Sequence, residues 1–350
     1  MDGMHRELER LKIWFQREKR DFLWRKDSSP YAVWISEVML QQTQASVVTA
    51  YFERWMERFP SISALAAAGE EEVMKAWEGL GYYSRARHLH AGAKWLSAHH
   101  KGELPDSEEE LCRVKGLGPY TVAAILSFAF HRKAAALDGN VARVMARLNL
   151  IEEDICKSGV QKRLRKLTLD LLPDQEPWVV MEALIELGAT ICTKSPQCWK
   201  CPMKRSCLAF KEKRTQDLPL RESKMRCEIL HRNVAVIEHE GKVLLQLHGP
   251  GKLMAGLYEF PYFVQKQKSA SSEVLQGEIF QALSLCVCFK KSLLEVKHTF
   301  TKYRCHLYPV LWQARELKQV EGYRWVSREA MRRLAFSSGH RRILQQLEDP

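Results

Sequence analysis

Along the first two hundred residues the apolar positions recur every three to four places. Leu8, Leu11 and Phe15 share one side of a helix. Ser29-Pro30 couples a capping hydroxyl to a proline suited to a first helical turn, so a helix is expected from Tyr31 through VWISEVMLQQ. Further helical patterns cover about 44–58, 70–77, 84–98, 107–114, 119–131, 140–150, 157–171 and 176–190. Gly79, Gly81, Pro105, Gly116, Gly118 and Gly139 punctuate them. No strand pattern stands out before residue 215. The texture then changes: NVAVIEHEGKVLLQL reads as two short strands around a Glu-Gly turn, SLLEVKHTFTKYRCHLYPVLW as another pair, and 327–347 as a terminal helix carrying Leu334, Ile343 and Leu347.

Strands mixed with one or two helices after an all-helical region predict two domains, which 350 residues accommodate. The boundaries expected are 1–215 for the helical domain, 216–232 for a linker within the charged, poorly periodic KEKRTQDLPLRESKMRCEILHR, and 233–350 for an α+β domain. No apolar run approaches the length of a membrane span, and MDGMHRELER lacks a signal core, so a soluble, unexported chain is expected. The net charge of +12 favours a polyanionic partner. It divides as +5 over 1–215 and +7 beyond, so both halves can face nucleic acid.

The sharpest chemical signal is Cys192, Cys198, Cys201 and Cys207, spaced C-x5-C-x2-C-x5-C. Four soft thiolates this close suit one iron–sulfur cluster; zinc is the rival, although structural zinc sites more often pair two short C-x2–4-C units. VKGLGPYTVAAI at 114–125 is a helix end, a Gly-x-Gly turn and a new helix start. Gly116 and Gly118 there can expose N–H groups to a phosphate, or simply link two core helices tightly. Glu37 lies in an almost wholly apolar helix, so desolvation should raise its pKa and suit it to general-acid work; a salt-bridged helix residue is the alternative. Asp138, between AAAL and Gly139-Asn140, reads first as an N-cap.

Together these blocks resemble the MutY-type adenine DNA glycosylases of the endonuclease III, helix-hairpin-helix superfamily, from about residue 8 to the end. The blocks that carry the resemblance are WRKDSSPYAVWISEVMLQQTQ (24–44), GLGYYSRAR (79–87), VKGLGPYTVAAI (114–125), LDGNVARV (137–144), EALIELGATICT (182–193) and AGLYEFP (255–261). The fold class implied is multidomain, an all-α helix-hairpin-helix core (hairpin about 107–131) with a [4Fe–4S] loop, followed by an α+β MutT/Nudix-like domain. The implied partner is double-stranded DNA with adenine opposite 8-oxoguanine or guanine, from which the adenine is flipped and cut by a monomeric, cytoplasmic, bacterial-type enzyme. By similarity Glu37 would protonate adenine at N7, Asp138 would stabilise the cationic sugar, and Asn140 and Tyr120 would help fix the transition state. Leu40, Gln42 and Tyr82 would fill or wedge the stack, with core packing as the rival for Leu40 and Tyr82. Glu182 would line the adenine pocket, and Gly116 and Gly118 would meet the backbone.

Bifunctional relatives place a lysine where this chain has Tyr120, and a phenol forms no imine, so a monofunctional glycosylase is implied. The second domain resembles the family's 8-oxoguanine reader, and no R-E-x-x-E-E set near 249–290 supports a pyrophosphatase. Two positions depart from the family: CTKSPQC holds five residues between the first two cysteines where six are usual, and the reading loop, usually Phe-Ser-His, is Phe300-Thr301-Lys302. The competing readings are a bifunctional glycosylase and lyase, a silent iron–sulfur DNA-binding protein, and a nucleotide hydrolase.

Overall fold

The computed structural model describes residues 2–221, 227–249, 251, 254–265 and 271–348. Its contacts divide the chain into two compact units, Met1–Ala67 with Ala91–Lys224, and Ala68–His90 with Met225–Pro350.

The helices run α1 (Asp2–Glu18), α2 (Pro30–Leu40), α3 (Ala45–Arg58), α4 (Ile62–Ala67), α5 (Glu70–Ala76), α6 (Ser84–His99), α7 (Glu108–Leu111), α8 (Pro119–Ala124), α9 (Gly139–Leu148), α10 (Ser158–Leu171), α11 (Pro177–Thr190) and α12 (Leu208–Lys211). In the first unit α2 is the central element. Ser29 Oγ accepts the Ala32 N–H at 3.3 Å, Pro30 opens the first turn, and every residue from Tyr31 to Met39 is buried, as a helix apolar all round requires. It stops at Leu40 because Gln42 turns left-handed, at φ +57°. The helix expected over 119–131 changes character midway: α8 passes into a π-helical turn at Ile125–Ala129. Ser107 caps α7, which is shorter than the expected 107–114. Helices α9 and α11 pack closely enough that a Cβ on Gly188 would lie 2.6 Å from Asn140 Cβ, so glycine is required there.

In the second unit an eight-stranded mixed sheet is built from β1 (Glu228–His239), β2 (Lys242–Leu247), β3 (Tyr258–Glu259), β4 (Tyr262–Gln265), β5 (Val287–Ser292), β6 (Val296–Phe300), β7 (Tyr303–Ala314) and β8 (Tyr323–Ser327). Strands β1 and β7 pair in parallel from Glu228↔Tyr303 to Glu238↔Gln313; the other pairings are antiparallel. Alternation along β1 sends Val234 and Val236 into one core and Ala235 and Ile237 into another. Leu275, Ile279 and Leu283 of α13 (Ser272–Leu283) join the second core. Met331 of α14 (Arg328–Met331) and Ile343 and Leu344 of α15 (Ser338–Glu348) join the first.

Three further expectations change. Strand β1 begins at Glu228, so it takes in residues expected to be linker. The terminal helix is broken between α14 and α15, where fully buried Phe336 bridges to Tyr258 in extended backbone; filling the core outweighs helix continuity. Residues 68–90, which hold α5 and the start of α6 where helices were expected, associate with the C-terminal unit instead of the helical one. Tyr258 donates to Glu71 at 2.8 Å, Tyr83 donates to Phe336 O at 3.2 Å, and Arg341 donates to both oxygens of Glu78 at 2.8 Å. Arg87 also donates to Ala255 O. No described helix is long and apolar enough to cross a membrane.

Candidate active site

A cavity of about 790 Å³ opens in the first unit among α2, the hairpin, the start of α9 and α11. Glu37, Leu40, Gln42, Gly116, Gly118, Tyr120, Asp138, Asn140 and Glu182, separated by up to 145 positions in sequence, all line it.

Glu37 is brought there by α2. Its bonded partner is not a cation but the Tyr120 hydroxyl, which donates to Oε2 at 2.5 Å from the first turn of α8. Burial pushes the Glu37 carboxyl up to about 7; the Tyr120 hydroxyl and Arg25 pull it down, while Asp138 and Glu182 add to the rise. A carboxylic acid with this balance still holds its proton near neutrality, as a general acid must. Burial, and then the nearby Glu37 and Asp138, hold the Tyr120 phenol well above its ordinary range, so Tyr120 is a fixed donor.

Asp138 is the residue immediately before α9. It caps α9, accepting from Val141 N–H at 2.7 Å through Oδ1, and it lines the cavity. Oδ2 accepts from Asn140 Nδ2 at 2.8 Å, and Asn140 Oδ1 accepts from Arg143 at 2.8 Å. Burial raises its pKa against the pull of those N–H donors. Glu182, on α11, is also raised by burial, opposed by Arg25 and Lys19.

The hairpin supplies backbone. Gly116 adopts φ +90°, which glycine tolerates without strain. Gly118 is the N-cap of α8, and a Cβ there would meet nothing within 4 Å.

The structure does not bring every candidate to this cavity. Tyr82 lies in the other unit, left-handed at φ +46° and 45% exposed, which removes core packing as its explanation. Phe300, Thr301 and Lys302 form the β6–β7 turn of that unit, with Thr301 at φ +48°. Lys302 is paired with Glu228 at 2.6 Å and lies over the Tyr303 ring, so it is less mobile than a lone lysine.

Several lining residues carried no separate signal in the sequence: Arg20, Phe22, Trp24, Arg25, Gln41 and Thr121. The Trp24-Arg25 pair opens the first of the long blocks, and Gln41 donates to Thr121 at 3.2 Å.

The four cysteines line a second, apolar pocket with Ile191, Pro196 and Phe210. Buried Arg147 approaches Cys192 Sγ at 3.2 Å, and Arg143 donates to Cys192 O at 2.7 Å. Among the described residues no three His, Cys, Asp or Glu side chains converge as donors to a single metal ion.

Residues 35–168 match the family of HhH-GPD superfamily base excision DNA repair proteins, and residues 233–346 match the NUDIX domain. A rat adenine DNA glycosylase is 32% identical over 401 residues, covering 97% of this chain and 77% of the relative. The human adenine DNA glycosylase is 31% identical, covering 96% and 72%. A solved thermostable thymine-DNA glycosylase superposes with a TM-score of 0.54 at 25% identity, covering 60% of this chain and 98% of that one. Fold and pocket thus define a helix-hairpin-helix base-excision repair protein with an appended Nudix-type domain. Within that class, the chain belongs to the adenine DNA glycosylase family.

Proposed function

We propose that this protein binds duplex DNA and excises adenine mispaired with 8-oxoguanine or guanine, as a monomeric and monofunctional glycosylase. The observation that carries this reading is the Glu37–Tyr120 pair in one cavity with Asp138 and Asn140.

Glu37 gives its proton to N7 of a flipped adenine. The C1′–N9 bond then breaks with its electron pair passing to the base. Positive charge grows on the sugar and faces Asp138, whose orientation Val141 N–H and Asn140 fix. Water adds to C1′, and the proton it releases restores Glu37. Tyr120 holds the Glu37 carboxyl in place and lies where a lyase would need an amine; among the described residues no lysine lines the cavity. The N–H groups of the hairpin suit a DNA phosphate, and Phe300, Thr301 and Lys302 suit contact with the strand opposite the adenine.

The donor set of the cysteine loop, four soft thiols lining one apolar pocket at the C-x5-C-x2-C-x5-C spacing, suits a [4Fe–4S] cluster. Cys192, Cys198, Cys201 and Cys207 would hold it, and its contribution would be to order this loop. The protein purified without chelators is expected to be brown with about four irons per chain; a colourless protein carrying one zinc would overturn this assignment.

The test of function is single-turnover base release from duplexes with adenine opposite 8-oxoguanine, guanine or thymine, with borohydride present in parallel. Release without a trapped covalent adduct supports a monofunctional enzyme. A borohydride-trapped adduct would make it a lyase, and absence of release would leave only a DNA-binding protein.

A further inference from the structure

Directly behind the cavity sits a carboxylate that does not line it. Glu186 is fully buried on α11, one turn beyond Glu182. Its Oε1 accepts from Arg20 Nε at 2.6 Å, and its Oε2 accepts from Arg20 Nη2 at 3.2 Å and Arg25 Nη2 at 2.7 Å. Arg25 Nη1 in turn donates to Arg20 O at 2.7 Å. Both arginines line the cavity, and Phe22 packs against both guanidinium groups. Two cations are thereby held on the wall of a pocket whose acid must keep its proton, and the single anion that binds both is out of reach of substrate.

We propose that Glu186 is a positioning residue for the base-excision reaction, one that fixes Arg20 and Arg25 at the cavity wall and offsets their charge so that Glu37 retains its proton at neutral pH. This rests on the functional reading above. The groups facing Glu37 are Tyr120, Asp138, Glu182 and Arg25. Those facing Glu182, on the same helix as Glu186, are Arg25, Lys19, Glu186 and His131. Of these, Arg25 pulls the Glu37 carboxyl down, and Arg25 is bonded to Glu186. Burial raises the Glu186 carboxyl, but the bonds from Arg20 and Arg25 outweigh it and keep it ionised. Without that charge the cavity wall gains an uncompensated cation, the Glu37 carboxylate is favoured, and the acid is lost at lower pH.

The experiment is the single-turnover rate of adenine release between pH 5 and 9. In the wild type the rate should fall on the alkaline side as Glu37 ionises. Glu186→Gln should move that midpoint down by about 0.5–1 unit. Glu186→Asp keeps the charge but shortens the reach, and should lower the rate while leaving the midpoint in place. Should Glu186→Gln not fold, Arg20→Gln tests the same coupling with the opposite sign: losing a cation should move the midpoint up. A midpoint unmoved in a folded Glu186→Gln, or unmoved in Arg20→Gln where the former does not fold, overturns the proposal. A wild type that releases no adenine, or releases it with no alkaline limb, instead overturns the assignment of Glu37 on which it stands.

Discussion

Each unit buries a glutamate, and the two end in opposite states. Glu37, 7% exposed in the helical unit, is pushed up to about 7. Glu259, 1% exposed in the sheet unit, is drawn down to about 2. Desolvation is the largest influence on both, and it raises both. The difference is in their neighbours. Glu37 has one neutral hydroxyl as its bonded partner and carboxylates nearby. Glu259 is set among His340 at 3.7 Å, His248 at 2.9 Å and Ser337, all buried. Burial makes a carboxylate costly, but its partners decide whether it becomes a proton store or a fixed anion. The first lines an open cavity and is suited to chemistry. The second is enclosed against α15, whose His340 lies 3.7 Å from it and accepts the Phe260 N–H at 3.0 Å.

The comparison breaks most visibly at Glu37. Glu37→Gln should lower adenine release by roughly a hundred- to ten-thousandfold, since an amide donates no such proton. The same change should make the protein more stable at pH 8. Because the folded pKa lies above the unfolded value, the folded state binds more protons between 4.5 and about 7, and this stabilisation, roughly 3 kcal/mol, is lost as pH rises through 7. Denaturant melts at pH 5 and 8 measure it: the wild type should lose stability over that interval and the variant should lose less. Wild-type turnover by the variant would remove Glu37 from the chemistry.

Asp138→Asn should cost about a hundredfold or more in rate, because the charge facing the sugar disappears. Its cap bond to Val141 survives in part, so the stability loss should stay under about 1 kcal/mol. A variant that melts early but turns over normally would make Asp138 a cap and nothing more.

Glu259→Gln should act in the reverse sense, leaving chemistry in place while destabilising the sheet unit by roughly 1–3 kcal/mol, because the buried carboxylate that meets His248 and His340 is lost. The pH signs agree among its members. Glu259 is depressed, so its contribution is present above 4.5 and lost as pH falls toward 2. His298 and His340, lowered to about 4 by burial, lose theirs as pH falls from 6.5 through 4. Hydrogen exchange, which reads each unit separately, should show the sheet unit opening on acidification while Glu37 pulls the helical unit the other way. Equal slopes in both units would end the contrast.

The smallest effect belongs to Lys302. Its pairing with Glu228 is exposed and worth little, so Lys302→His should barely change stability. It should sharpen preference for 8-oxoguanine over guanine and reduce the slope of log affinity against log salt by up to about one. Parallel titrations on both duplexes measure this, and an unchanged preference would remove Lys302 from lesion reading.

Sequence determined what depends on near neighbours. Helical periodicity located the long helices, Ser29-Pro30 located the start of α2, four thiols in sixteen residues marked one loop, and an apolar helix around Glu37 was enough to anticipate its raised pKa. What sequence left open was decided by groups far apart along the chain. Tyr120 reaches Glu37 across 83 positions, and Arg20 reaches Glu186 across 166. The cap at Asp138 became part of a cavity only when α11 closed against α9 over Gly188. The terminal helix broke because Phe336 had a core to fill, and residues 68–90 joined the sheet unit through Glu71, Glu78, Tyr83 and Arg87. Local pattern sets which segment is helix or strand and which side chain is costly to bury; the partner that meets that cost is supplied by tertiary packing.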